Sequence, residues 1–99
     1  MIRQTGGAAG DVLTSGYGKD HLLGYRGNDL LAGELGADLI EGGQGLDTIY
    51  GGAGDDQLFG YQDADRLEGG AGQDFLDGGD GADTVLGGDD NDRLYGYRS

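Results

Sequence analysis

The amino-acid sequence predicts an all-β parallel β-solenoid, with two nonapeptide units in each coil and two short parallel sheets. Three observations carry this. An aspartate recurs every nine residues, as Asp11, Asp20, Asp29, Asp38, Asp47, Asp56, Asp65, Asp74, Asp83 and Asp92. An aliphatic residue follows two positions after each: Leu13, Leu22, Leu31, Ile40, Ile49, Leu58, Leu67, Leu76, Val85 and Leu94. Glycine stands five positions before the aspartate in nine of ten units, Ser15 being the exception, and four and two before it in seven of ten. Residues 6–95 are thus ten tandem copies of G-G-x-G-x-D-x-U-x, where U is aliphatic. Self-similarity at a fixed period means that each unit is one step of a stacked array. With partial units at 1–5 and 96–99, residues 1–99 read as a single array.

Each unit divides into a turn and a strand. Glycine lacks a Cβ, so it reaches positive φ and lets backbones approach; glycines at positions 1, 2 and 4 describe a tight turn whose carbonyl oxygens point inward together. Positions 7–9 remain as a short strand. Side chains alternate across a strand, so position 8 faces one side and positions 7 and 9 the other. Two units close one flattened coil, and one aliphatic per unit lines a narrow core.

Taken in order, the first unit, GGAAGDVLT at 6–14, has its third glycine displaced to Gly10, which makes Asp11 the weakest site. The unit at 15–23 opens on Ser15. Units 24–32, 33–41 and 60–68 carry Tyr25, Glu34 and Tyr61 at position 2, where an ordinary φ is expected. Position 4 is Ala9, Asp63 and Asp90 in units 6–14, 60–68 and 87–95, which is expected to disturb the local turn, although an aspartate there could add a side-chain ligand. Units 42–50, 51–59, 69–77 and 78–86 keep every position of the pattern.

The core is thin for so glycine-rich a chain. Glycine, 25 of 99 residues, loses more backbone freedom on folding than any other residue. Charge also opposes compaction: 19 acidic residues against six basic ones give a formal charge of −13, and the spacing stacks carboxylates in columns. A counter-ion must be built in. Calcium suits the vacancy, being a hard cation that takes six to eight oxygen ligands from carboxylates and backbone carbonyls alike. Zinc, copper and iron–sulfur centres want cysteine or histidine, and the chain has no Cys and one His. Magnesium demands a stricter octahedron and keeps several waters. If each unit stacks on the next but one, eight sites lie between turns, bounded by Asp11/Asp29, Asp20/Asp38, Asp29/Asp47, Asp38/Asp56, Asp47/Asp65, Asp56/Asp74, Asp65/Asp83 and Asp74/Asp92. Up to about eight calcium ions would move −13 to about +3.

The repeats resemble the RTX nonapeptide repeat. GGQGLDTIY (42–50), GGAGDDQLF (51–59), GGAGQDFLD (69–77) and GGDGADTVL (78–86) match its motif throughout, and the resemblance covers about nine-tenths of the chain. It implies a right-handed parallel β-roll in which calcium is held between successive turns by the aspartate side chain and by carbonyls of the glycine turn. Here that implies the ten aspartates, with carbonyls near Gly6, Gly24, Gly27, Gly33, Gly36, Gly42, Gly45, Gly51, Gly54, Gly69, Gly72, Gly78 and Gly81. RTX arrays are similar across secreted toxins, proteases, lipases, epimerases and adhesins, so the family leaves the parent activity open. A secreted or cell-surface location is expected, because sites of this kind fill at millimolar calcium. RTX proteins typically leave by type I export on an uncleaved C-terminal signal, which the ending GYRS does not resemble; an excised or engineered fragment, or a component exported by another route, is expected.

No enzymatic activity is expected. His21, at an outward position 7, reads as a solvated surface residue with no serine or cysteine partner at a motif spacing. Ser15 and Ser99 lack a nucleophile-elbow context. The glycine turns are not phosphate cradles, since no Gly-Lys-Ser/Thr follows them. A charge of −13 repels nucleic acid and anionic membrane, and no stretch is long enough to span a bilayer.

A second period lies on the first. Tyr25, Tyr61 and Tyr97 are 36 residues apart, and 38–61 align with 74–97 at the same offset, which suggests duplication of a four-unit block and places the tyrosines in one row on the solenoid edge. On the face of the even-numbered units, Leu23, Leu39, Phe59 and Phe75 are expected to form an exposed apolar patch that something covers. Two functions follow: a calcium-responsive folding module of a larger secreted toxin, enzyme or adhesin, or a self-assembling structural protein forming calcium-stabilised filaments. Filaments would grow head to tail, because GYRS supplies positions 1–4 and MIRQT positions 5–9 of an eleventh unit, with Ile2 where the aspartate should stand.

Overall fold

The computed structural model describes residues 3–5, 10, 12–88 and 92–95; Gly6, Ala9, Asp11, Asp90 and Tyr97 lie outside the described residues, as does the side chain of Ser15. Eleven strands occur among them: β1 (Arg3–Thr5), β2 (Val12–Gly16), β3 (His21–Leu23), β4 (Leu30–Glu34), β5 (Leu39–Gly43), β6 (Thr48–Tyr50), β7 (Gln57–Tyr61), β8 (Arg66–Glu68), β9 (Phe75–Asp77), β10 (Thr84–Leu86) and β11 (Arg93–Tyr95). Every strand from β2 onward begins on the residue after a repeating aspartate, as the motif requires.

Odd-numbered strands form one parallel sheet in the order β1-β3-β5-β7-β9-β11, and even-numbered strands form the other in the order β10-β8-β6-β4-β2. The register is constant. Leu22 pairs with Ile40, Ile40 with Leu58 and Leu31 with Ile49, each eighteen residues apart. Two units therefore make one coil, and the molecule is a flattened solenoid with principal extents of 28 × 25 × 13 Å.

The core sits between the sheets. Leu22, Leu31, Ile40, Ile49, Leu58, Leu67 and Leu76 are wholly buried, with Leu13 and Val85 partly buried against them. Leu94 is 47% exposed, so the core thins toward the ends, where a coil has a neighbour on one side only. No helix among the described residues is long and apolar enough to cross a membrane.

Position 2 departs from expectation. Tyr25, Glu34 and Tyr61 hold φ of 67°, 72° and 73°, in the left-handed region, close to the 87° and 88° of Gly43 and Gly52 at the same position. The conformation accompanies inter-coil bonding, although Gly16 at the same position accepts from Leu35 at 3.1 Å without it. The carbonyl of position 2 accepts from the amide of position 3 in the following coil, in the bonds from Gln44 to Tyr25 (2.7 Å), Ala53 to Glu34 (2.9 Å) and Asp80 to Tyr61 (2.7 Å). An L-residue pays ~1–2 kcal/mol for that conformation, and inter-coil bonding outweighs it. Asp63 at position 4 likewise adopts φ 73°, so the turn persists where disturbance was expected.

The outer face of the odd-strand sheet also differs from expectation. His21 is half-buried, with Nε2 2.7 Å from Glu41 Oε2, and the Tyr61 hydroxyl donates to Glu41 Oε1 at 2.6 Å. Burial pushes the Glu41 carboxyl up, but the bonds from Tyr61 and His21 outweigh it and leave Glu41 below its ordinary value. The Phe59 ring stacks on Tyr61 at 6.0 Å and meets Phe75 edge-on at 5.6 Å. Leu23, Leu39, Phe59 and Phe75 are consequently half-buried rather than exposed together. Equivalent positions of successive coils lie ~4.8 Å apart, so large side chains there shield one another. Tyr25 and Tyr61, both about half exposed, do lie in one row, with Gly43 in the coil between them.

Candidate metal centre

The repeating aspartate is the hinge between turn and strand. Its carbonyl accepts from position 7 of the next coil, as in Leu39 to Asp20 at 2.9 Å and Phe75 to Asp56 at 2.9 Å. Its side chain turns inward: Asp20, Asp29, Asp38, Asp47, Asp56, Asp65 and Asp74 are each at most 3% exposed. Each carboxylate then reaches the coil before it. Oδ1 accepts the backbone N–H of the aspartate eighteen residues earlier in the pairs Asp20/Asp38, Asp29/Asp47, Asp38/Asp56, Asp47/Asp65, Asp56/Asp74, Asp65/Asp83 and Asp74/Asp92, at 2.7–2.9 Å. The structure thus brings together seven of the eight pairs expected from the sequence. The eighth includes Asp11, outside the described residues.

The other carboxylate oxygen is the unusual one. Oδ2 of Asp38, Asp47, Asp56, Asp65 and Asp83 is buried without a hydrogen-bond partner. Burying ionised oxygen without compensation is expensive, and a group so placed neutralises or finds a cation. Burial accordingly pushes Asp38 up to about 6, Asp47 to about 7 and Asp56 and Asp65 to about 8. The stacked neighbouring carboxylates push the same way, against the lowering effect of the backbone N–H bond.

Oδ2 lies against the glycine at position 1 of its own unit. A Cβ on Gly51 would meet Asp56 Oδ2 at 2.6 Å and the carbonyl oxygen of Gly69, one coil on, at 2.8 Å. A Cβ on Gly24 would meet Asp29 Oδ2 at 2.6 Å and Gly42 O at 2.7 Å, and one on Gly69 would meet Asp74 Oδ2 at 2.5 Å and Gly87 O at 2.8 Å. Gly33, Gly42 and Gly78 lie against Oδ2 of Asp38, Asp47 and Asp83. Glycine is needed because a carboxylate oxygen and a carbonyl oxygen from two different coils converge on the side where other residues carry Cβ. Such a mixed set of oxygens fits a hard cation with flexible coordination. Side chains alone would not suffice, since no group of three or more His, Asp or Glu stands together among the described residues.

The position-4 glycines are placed differently. Gly36, Gly45, Gly54 and Gly72 pack against the position-4 carbonyls of Gly18, Gly27, Gly36 and Gly54 in the preceding coil, and Gly81 packs against that of Asp63. They stack along the axis, while the position-1 glycines share the surroundings of Oδ2. Sequence reasoning missed Gly60 and Gly87. They face Asp65 Oδ2 and Asp92 Oδ2, each 2.5 Å from where a Cβ would stand, and their shared position 1 was the available signal.

Comparison with known families gives the same picture. The model of the RTX calcium-binding nonapeptide repeat matches in four copies, over residues 5–40, 33–67, 41–76 and 59–94. No curated protein and no solved structure matches the chain.

Proposed function

From the premise that the chain belongs to the RTX calcium-binding nonapeptide repeat family, and is a calcium-binding β-roll, we propose that it is a calcium-dependent folding module of a larger extracellular protein. The observation that carries this is the row of buried Oδ2 atoms without hydrogen-bond partners at equivalent places in five units, four of them successive. In this reading the carboxylates of the position-6 aspartates and the position-1 carbonyls of the adjoining coil supply the oxygens. Calcium supplies the positive charge that makes the stacked carboxylates attractive instead of repulsive. The position-4 turns hold the coils in register. The repeat family is a structural calcium-binding module. An extracellular setting follows from calcium supply, since sites of modest affinity fill only where calcium is millimolar.

Folding is then linked to binding: a thin, glycine-rich, strongly acidic chain stays disordered until the ion is present, and binding energy appears as folding energy. Circular dichroism across a calcium titration tests this. Above about pH 8 the β signal should appear with calcium and vanish in chelator. Full β signal in excess chelator at that pH would overturn the proposal.

A second reading, end-to-end self-assembly, has one feature in its favour. The outermost strands β1 and β11 of one sheet, and β2 and β10 of the other, present an edge with no partner strand among the described residues. Open parallel edges template pairing. Thin fibres by electron microscopy that dissolve in chelator support it, and a monodisperse monomer at high protein and calcium concentration ends it.

A further inference from the structure

Position 4 is glycine in every unit but one whose position 4 is described. The exception is Asp63, held at φ 73° in a conformation that costs an L-residue ~1–2 kcal/mol. Its carboxylate turns back across the coil, with Oδ2 accepting from Gly45 N at 2.9 Å. Gly45 lies two residues before Asp47, Asp63 lies two residues before Asp65, and Asp47 N donates to Asp65 Oδ1 at 2.8 Å. One charge therefore sits on the same pair of turns as two buried carboxylates. Oδ2 of both Asp47 and Asp65 is buried without a hydrogen-bond partner. Both carboxyls are pushed up, by burial first and with the Asp63 charge among the further causes.

We propose that Asp63 makes the site between the Asp47 and Asp65 turns the tightest calcium site of the array, and the point from which calcium-driven folding spreads. The inference rests on the calcium-binding reading above and adds which site dominates and why. A divalent ion there is attracted by three carboxylates instead of two. The third is exposed, so it carries no burial cost and acts through space without touching the ion. The site is also central, so coils on both sides gain from its formation. Asp55 is the nearest rival on the opposite edge, its Oδ1 accepting from Gln73 N at 2.8 Å and its charge bearing on Asp56, while the charge of Asp63 bears on both Asp47 and Asp65.

Native mass spectrometry and calorimetric titration with calcium chloride test the proposal on the full chain and three variants. Asp63→Asn keeps an acceptor for Gly45 N and tolerates the left-handed backbone, so it removes little but charge. It should weaken the first binding step about tenfold at low ionic strength, and less in concentrated salt. Asp63→Gly restores the repeat and relieves the backbone, so a purely structural residue predicts tighter binding; the proposal predicts a weaker first step here too. Glu68→Gln removes an equal charge from the outer face, where Glu68 pairs with Arg66 at 2.8 Å, and should leave the first step unchanged. A first step unchanged or tightened in both Asp63 variants overturns the proposal. Failure of the parent chain to bind calcium at millimolar concentration would appear in the same titration and overturn the calcium reading itself.

Discussion

The backbone N–H of Asp38 donates to Oδ1 of Asp56, eighteen residues later, at 2.8 Å. One oxygen of each interior carboxylate thus fastens its coil to the one before, while the other lies buried beside a glycine. The same side chain is a structural clip and a candidate ligand. Its removal should therefore act twice.

Asp56→Ala should raise the calcium concentration needed for folding severalfold more than Asp92→Ala. Asp56 is bonded on both sides, accepting from Asp38 and donating to Asp74 Oδ1 at 2.8 Å, whereas Asp92 is bonded only to Asp74 among the described residues. Solenoid stability is a sum of unit and neighbour terms, so a central lesion splits the array. Equal midpoints by circular dichroism would contradict this stacking.

Gly51→Ala should lower calcium affinity and cost about 1–3 kcal/mol of stability, because the added methyl carbon would stand 2.6 Å from Asp56 Oδ2 and 2.8 Å from Gly69 O. Gly16→Ala is the matched control. A Cβ there meets nothing within 4 Å, and the backbone is outside the left-handed region, so the change should be neutral or stabilising by about 0.4–1 kcal/mol. Denaturant melts in saturating calcium separate the two.

Tyr25→Gly should stabilise the folded, calcium-loaded chain by roughly 1 kcal/mol, since it releases a left-handed tyrosine that is 51% exposed. Tyr61→Gly should not. It relieves the same strain but loses the stack on Phe59 at 6.0 Å and the bond to Glu41 at 2.6 Å, together worth about as much or more. Thermal melts that ranked the two variants in the opposite order would refute this account of the outer face.

Without calcium, acid should promote folding. Asp38, Asp47, Asp56 and Asp65 are raised from 3.8 to between about 6 and about 8 in the folded state. The folded chain holds these protons more tightly than the unfolded one. The resulting stability is fully present below the unfolded value and is lost as pH rises through the folded values. In chelator, β signal should therefore grow as pH falls from about 8 to about 4. In calcium the same protons compete with the ion, so the calcium midpoint should climb on acidification below neutrality. A chelated chain equally disordered at every pH would count against the buried carboxylates.

By itself the sequence determined the solenoid, the eighteen-residue coil, the inward aliphatics and the aspartate pairs. All of these follow from a nine-residue period combined with the two-residue alternation of a strand, which leaves one stacking that keeps Leu22, Ile40 and Leu58 in a single column. Tertiary structure decided what the period does not encode. Tyr25, Glu34 and Tyr61 lie in the left-handed region, each giving its carbonyl to the coil after it, a relation no single unit carries. His21 leaves the solvent for Glu41 because residues twenty apart become neighbours only when coils stack with a diagonal offset. The division of the glycines, with position 1 facing the carboxylate and position 4 stacked on its own kind, likewise depends on how one turn settles on the next. It is a property of the pair of coils, and the motif describes only one.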